Sequence, residues 1–331
     1  MKKLISILLA VVLVFAFAGC AGETQTPAKK VNLKEVECNV YGIAGPTGVG
    51  LANLMEEAAN KNGSLKYNIV LAANNDEIVA KIVNKEADIA AVATNLASAI
   101  YNKTNGGVQV LAVNTLGVLN VVAKGYEINS IADLKGKTVY STGQGANPEY
   151  IINDILENNG LEVGKDVKVE FVAQPTDLVA KIVGNKKAIV IAPQPVATTI
   201  TIKDSEAKIV LNINDEWDKF HDEQLTMGCI IVRKEWAEQN PEAVAAFLND
   251  YKASIEKANS DIDTTAALCE KYTIIASAGI AKKAIPLCNI VYQDGKTMKT
   301  NLSAYLKFLH KLNPSSVGGK LPAKDFYYGV K

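Results

Sequence analysis

Arginine is almost missing from this 331-residue chain: Arg233 is the single one. The guanidinium fork that grips carboxylates and phosphates at two points is therefore unavailable nearly everywhere. Histidine occurs only as His221, inside the charged stretch NDEWDKFHDEQ, and His310, on a lysine-flanked helix, and both are expected on the solvated surface. No GxSxG, HExxH, P-loop or DxDxDG pattern is present, so groups for nucleophilic, metal-assisted or phosphoryl chemistry are scarce. GPTGVG only echoes a dinucleotide loop, because no acidic residue ends the next strand, YNIVLAA. Net charge is absent too: 35 basic and 35 acidic residues cancel. No lysine stripe interleaves with aromatics, which removes nucleic acid as a partner. The five cysteines contain no CxxC pair. Four of them, Cys38, Cys229, Cys269 and Cys288, read as buried free thiols, with neither a zinc site nor a disulfide framework indicated.

The chain opens with MKKLISILLAVVLVFAFAGC, two lysines and then an apolar run from Leu4 to Ala18. A run of about fifteen residues is short for a membrane-spanning helix, which needs roughly twenty, and the pattern is that of a secretory signal over residues 1–19. The FAGC ending resembles a bacterial lipobox. That resemblance makes Cys20 the residue exposed by cleavage and acylated with fatty (palmitate-like) chains, and two lipid signals suffice for stable anchoring. Residues 20–33 have few apolar positions and no periodicity, so they read as a solvated tether. Removing residues 1–19 takes Lys2 and Lys3 and no acid, leaving a net charge of −2. The length favours two domains, each with its own core.

An internal repeat carries most of the information. VAKIV at 79–83 recurs at 179–183, and NNDEIVAKIVNKEADIAAVATNLAS (74–98) lies without a gap over QPTDLVAKIVGNKKAIVIAPQPVAT (174–198). At the same offset of one hundred, GIAGPTGVG (42–50) falls on TGQGANPEY (142–150). Each copy reads as strand, glycine loop, helix (51–61 or 149–158) ending at Asn-Gly as a left-handed cap would, second strand (67–72 or 167–173), helix opening near Asp76 or Asp177, and a near-continuous apolar strand. That order is doubly wound α/β, and ligands in such sheets sit at the carboxyl ends of the strands.

The loops at those ends are uncharged. The first copy offers Gly45, Pro46, Thr47 and Gly48, then Thr94 and Asn95; the second offers Ser141, Thr142, Gly143, Gln144, Gly145 and Asn147, then Gln194. Glycine lets backbone N–H groups approach a ligand, and the following helix N-terminus favours an anion. Such residues also suit ordinary strand-to-helix turns, but their pairing across both copies favours a ligand-binding role. Lack of arginine in the loops disfavours amino acids, and Trp217 and Trp236, distant from the loops, disfavour sugars. A small anion or a heteroaromatic compound remains, with Tyr41, Tyr140 or Tyr150 available to stack.

Residues 131–198, with DLKGK leading into a strand and glycine loop and a proline-bearing loop closing the repeat, resemble the second lobe of the nitrate/sulfonate/taurine (thiamine-precursor-like) class of ABC-transporter substrate-binding proteins. The likeness extends over roughly 36–330; one departure is Ala188, where that family often has the acid this chain keeps at Asp88. The resemblance implies a periplasmic-binding-protein type II-like fold, two α/β lobes joined by a hinge of two crossing strands, drawn from 117–125 and 226–235. Lobe 1 is then 34–120 with 229–331, and lobe 2 is 121–228. It implies a lipid-anchored protein on the extracytoplasmic face of the cell membrane that hands a small anionic or heteroaromatic ligand to an ABC permease and its ATPase, with no catalysis, cofactor or metal. A ligand-sensing lipoprotein without transport, and an enzyme on the same fold, are the alternatives.

Overall fold

The two copies of VAKIV fold as helices with the same buried face. Residues Asn75–Val83 bury Ile78 and Ile82, and Pro175–Val183 bury Leu178 and Ile182, one hundred positions on in each case. The computed structural model describes residues 32–330. The expected signal segment 1–19, Cys20 and the tether as far as residue 31 lie outside the described residues.

The first repeat supplies β1 (Glu37–Ile43), α1 (Pro46–Val49), α2 (Ala52–Ala59), β2 (Lys66–Ala72), α3 (Asn75–Val83), β3 (Ile89–Ala93) and α4 (Thr94–Lys103). Two strands follow, β4 (Val108–Thr115) and β5 (Leu119–Lys124). The second repeat supplies β6 (Thr138–Thr142), α5 (Asn147–Asn158), β7 (Lys168–Val172), α6 (Pro175–Val183), β8 (Ala188–Pro193) and α7 (Val196–Lys203). After it come β9 (Lys208–Asn212), α8 (Ile213–Trp217) and β10 (Gly228–Arg233). The tail holds α9 (Lys234–Gln239), α10 (Pro241–Ser260), α11 (Ile262–Lys271), α12 (Ala278–Ala284), β11 (Ile290–Gln293) and α13 (Gly295–Leu312).

These strands form two sheets, ordered β2-β1-β3-β10-β4-β11 and β7-β6-β8-β5-β9. Each begins with the three parallel strands of one repeat in the order second, first, third. Each then takes an antiparallel fourth strand beside the third: β10 next to β3, and β5 next to β8. A further antiparallel strand, β4 or β9, follows. The repeats therefore share one strand order, as a duplication requires, and the molecule has two doubly wound α/β lobes. The chain passes between sheets through Leu116–Val118 and returns through residues 218–227, which are short and irregular. The return passage is tied to the end of β4, where the first passage begins: the Met227 N–H donates to the Thr115 carbonyl at 2.9 Å. Gly117 is held from both lobes, its N–H donating to Asn214 Oδ1 and its carbonyl accepting from Asn289 Nδ2. A side chain at Gly117 would sit 2.7 Å from Asn214 Oδ1 and 2.9 Å from Leu225 Cδ2, so glycine is required there.

Helix ends follow local chemistry. Asn74 caps α3 by accepting from the Glu77 N–H, and Gln174 and Asp177 form a reciprocal box at the start of α6. The expected helix 51–61 is α2, shorter at 52–59 and preceded by the separate turn α1 that Pro46 starts, and the expected helix 149–158 starts two residues earlier at Asn147. The second copy ends as expected on a left-handed glycine, Gly160 (φ 74°). In the first copy the left-handed residue is Lys61 (φ 58°) instead of Gly63, against which the Tyr67 ring packs. One apolar cluster runs through both sheets, from Val92 and Val113 to Val121, Ile191, Trp217 and Leu306. A second lies on the other face of the first sheet under Phe247 and Tyr251 of α10, and a third beneath α6 and α7. Fully burying one such large side chain stabilises by about 1.5–3 kcal/mol. Cys38, Cys229, Cys269 and Cys288 are free and buried, and desolvation raises their thiol pKa values, that of Cys269 to about 12.

Candidate ligand-binding site

In the first lobe, β1 runs into Gly45, whose φ of 103° lets the chain turn into α1. Its N–H donates to the Ile274 carbonyl at 2.9 Å, and the N–H of buried Gly48 donates back to the Gly45 carbonyl at 3.0 Å. These amides are thus committed within the chain. Pro46 occupies the first turn of α1. The Thr47 carbonyl accepts from Asn114 Nδ2 at 3.1 Å, and Asn114 also donates to the Tyr251 hydroxyl and accepts from Thr115. The three side chains converge around Gly228, where a Cβ would stand 2.6 Å from Asn114 Oδ1 and 2.8 Å from Thr47 Oγ1. Thr94, at the end of β3, is fully buried; its hydroxyl donates to the Thr226 carbonyl at 2.8 Å and its N–H to Met227, which docks the returning passage onto the first sheet.

In the second lobe, the Ser141 hydroxyl is likewise turned inward, donating to the Ile191 carbonyl at 2.8 Å. Thr142 is buried and its hydroxyl has no hydrogen-bond partner among the described residues. Gly143 and Gly145 (φ 80° and 73°) carry the loop past the exposed Gln144. The Gly145 N–H donates to the Glu149 carboxylate at 2.5 Å, and its carbonyl accepts from the Tyr150 hydroxyl at 2.8 Å. The lobes meet here. Asn147 Nδ2 donates to Asn95 Oδ1 at 3.2 Å, Asn95 Nδ2 donates to the Ser316 carbonyl, and Asn313 Nδ2 donates to the Tyr150 hydroxyl at 2.8 Å.

Four buried polar atoms at this end of the sheets have no partner among the described residues: Asn120 Oδ1, Asn147 Oδ1, Gln194 Nε2 and Thr226 Oγ1. Their residues are at most 8% exposed. Native structures leave few such groups, and each costs about 1–3 kcal/mol when unpaired. Their residues fall into two hydrogen-bonded groups. Gln194 N–H and Asn120 Nδ2 both donate to the Val118 carbonyl, while Asn147 reaches Asn95, next to Thr94 and so to Thr226.

The structure thus brings Asn95 and Asn147 together across the lobes and sets Gln194 at the first crossing. It turns the Thr94 and Ser141 hydroxyls into the scaffold. Sequence reasoning missed Asn114, Asn120 and Thr226, although Asn114 and Asn120 are polar interruptions in the apolar strands VQVLAVNT and LNVVAK. Of the tyrosines expected to stack, Tyr140 has the Lys181 ammonium over its ring at 4.4 Å, and Tyr150 serves the loop through its hydroxyl. His221 is not a solvated surface group: it stacks on Trp217 at 3.8 Å between centroids and bonds Asp154 at 2.7 Å, with Phe308 of α13 edge-on. His310 is half-buried in the last turn of α13. Arg233 pairs with Asp88 at 2.9 Å at the opposite end of the first sheet's central strands. Among the described residues, no group of three or more His, Cys, Asp or Glu side chains is placed to hold a metal ion.

The model of the NMT1/THI5-like family matches residues 65–263. No curated protein sequence matches the chain. Among solved structures, an ABC transporter protein from Parabacteroides distasonis superposes with a TM-score of 0.74 at 20% identity, over 88% of this chain and 99% of that one. The periplasmic aliphatic sulphonate binding protein SsuA from Escherichia coli gives 0.68 at 14%, over 88% and 92%. The periplasmic nitrate-binding protein NrtA from Synechocystis PCC 6803 gives 0.57 at 15%, over 88% and 83%. At these identities the likeness is one of fold.

Proposed function

Because the chain belongs to the NMT1/THI5-like family, we propose that it is an extracytoplasmic solute-binding lipoprotein that presents a small ligand to the permease and ATPase of an ABC importer. One observation carries the reading. Turns at the carboxyl ends of the two sheets meet at Asn95 and Asn147, and buried hydrogen-bonding atoms at those ends stand unpaired among the described residues. A ligand that pairs them makes contacts to both lobes at once, and only such differential contact shifts a hinge toward its closed form. The contact set is Thr47, Asn95, Thr142, Gln144, Asn147 and Gln194, joined by Asn120 and Thr226. The glycines Gly45, Gly48, Gly143 and Gly145 shape its rim, while Thr94 and Ser141 support it from behind. In this reading the lobes divide close to residues 118 and 227, residues 20–33 form the tether, and acyl chains on Cys20 hold the protein at the outer face of the cell membrane.

Thermal melting of the mature protein against a panel of sulfonates, nitrate, pyrimidines, flavins and purines tests the binding role. A ligand held only by the native state at one hundred times its Kd stabilises by about 2.7 kcal/mol, so the midpoint should rise with at least one solute. No rise across the panel would sink the reading. Anchoring is tested separately, by labelling cells with a fatty-acid analogue. Incorporation should vanish in Cys20→Ala, and equal incorporation would remove the anchor.

A further inference from the structure

The charge pattern around the seam identifies the class of ligand, an inference that rests on the binding role just proposed. The six parallel strands β1, β2, β3, β6, β7 and β8 run into the turns 44–49, 73–77, 94–98, 143–149, 173–177 and 194–198. Those turns contain four carboxylates, Asp76, Glu77, Glu149 and Asp177, and no lysine, arginine or histidine. The single arginine is committed to Asp88 at the far end of the first sheet's strands.

A doubly wound sheet gains its strongest hold on an anion from free loop amides at a helix N-terminus or from a fixed cation. Cations are absent from these turns, and the amides of three of their four glycines, Gly45, Gly48 and Gly145, are occupied. Gly45 donates to Ile274 and Gly48 to Gly45. In the second lobe the occupant of the Gly145 amide is itself an anion, the Glu149 carboxylate at 2.5 Å. An oxyanion drawn to that loop would meet a like charge already seated on its donor, and such repulsion strengthens as water is excluded.

The unpaired atoms point the same way. Asn120 Oδ1 and Asn147 Oδ1 are acceptors, Gln194 Nε2 is a donor, and the Thr226 hydroxyl can play either part. An oxyanion has no N–H to give the two carbonyl oxygens and would leave them buried and unsatisfied, whereas a solute bearing both N–H donors and an acceptor pairs the whole set. We propose that the cleft takes a neutral or cationic nitrogen-bearing solute with N–H donors as well as an acceptor, and that it rejects oxyanions.

Calorimetry and thermal melting of the mature full-length chain at low ionic strength decide this, with methanesulfonate, ethanesulfonate, nitrate and sulfate as one set and cytosine, adenine, nicotinamide and guanidine as the other. At least one member of the second set should raise the midpoint by several degrees, and all of the first should leave it unchanged at millimolar concentration. The solute that binds should lose affinity several-fold in Asn147→Ala. Binding of any of the oxyanions overturns the proposal while leaving the binding role intact; silence from both sets overturns the proposal, and the binding role falls with it when the wider panel is silent as well.

Discussion

Hydroxyl side chains at the sheet ends have two distinct jobs, and substitution separates them. Thr94 and Ser141 are fully buried and donate to the carbonyls of Thr226 and Ile191. Alanine at either position strands a carbonyl in the interior, so Thr94→Ala and Ser141→Ala should each lower the unfolding free energy by about 1–3 kcal/mol, read from urea midpoints. Thr142 has no such partner; Thr142→Ala should leave the melting temperature of the ligand-free protein nearly unchanged and weaken binding, with Thr264→Ala as the silent control. The reverse assignment would remove Thr142 from the site. At Gly228 even a methyl group collides with Asn114 and Thr47, so Gly228→Ala should cost about 1–3 kcal/mol by overpacking. Ionisable side chains add a pH signature. Lys124 holds Asp204 at 2.7 Å, with both side chains about one-tenth exposed, and its hydrogen bond keeps the Asp204 carboxyl below the usual range. A depressed carboxyl contributes stability that is present above its unfolded value of about 3.9 and lost as pH falls through the folded one. The raised Lys124 contribution is lost only as pH rises through its own folded value, above about 10.4. Acid titration of the unfolding free energy should therefore be shallower in Lys124→Ala than in the wild type, and identical acid limbs would show the pair to be uncoupled.

Whole elements were legible wherever local chemistry and tertiary demand agree. The VAKIV helices, the doubly buried third strands and the left-handed Gly160 all follow from periodicity and turn residues. Where the sequence misled, a tertiary contact had the deciding vote: Tyr67 packs on Gly63, and the left-handed step falls on Lys61, which a propensity argument would not choose. His221 lies in a charged stretch, yet Trp217 beneath it and Asp154 beside it draw it into the contact between the second lobe and α13. That contact continues into a clasp. The Tyr150 hydroxyl ties its own glycine loop to Asn313 beyond α13, and Asn95 bridges Asn147 to Ser316. Tyr150→Phe combined with Asn313→Ala should free the two lobes to separate, giving a larger radius of gyration in solution X-ray scattering, whereas Tyr126→Phe, on an exposed ring of the second lobe, should not. Equal radii in all three proteins would assign the clasp no part in closure.

Across the whole molecule, the duplication made the architecture readable, because two segments in one register specify two sheets with one strand order. The polar seam was readable only in part. Its loops lie next to their strands in sequence, but Asn120 and Thr226 reach it from a strand and a passage whose neighbours are set by the other repeat. The same exchange of strands has a temporal consequence. All five strands of the second sheet lie within residues 119–212, while the first sheet places β10, residues 228–233, between β3 and β4. A sheet built from neighbouring segments closes fast, and one that waits for a distant strand closes slowly. Pulsed hydrogen exchange during refolding should accordingly protect amides of β6 and β8 before those of β3 and β4. On the ribosome, the half of the chain made first is thus the half that must wait, its central strands kept apart until their missing neighbour is synthesised.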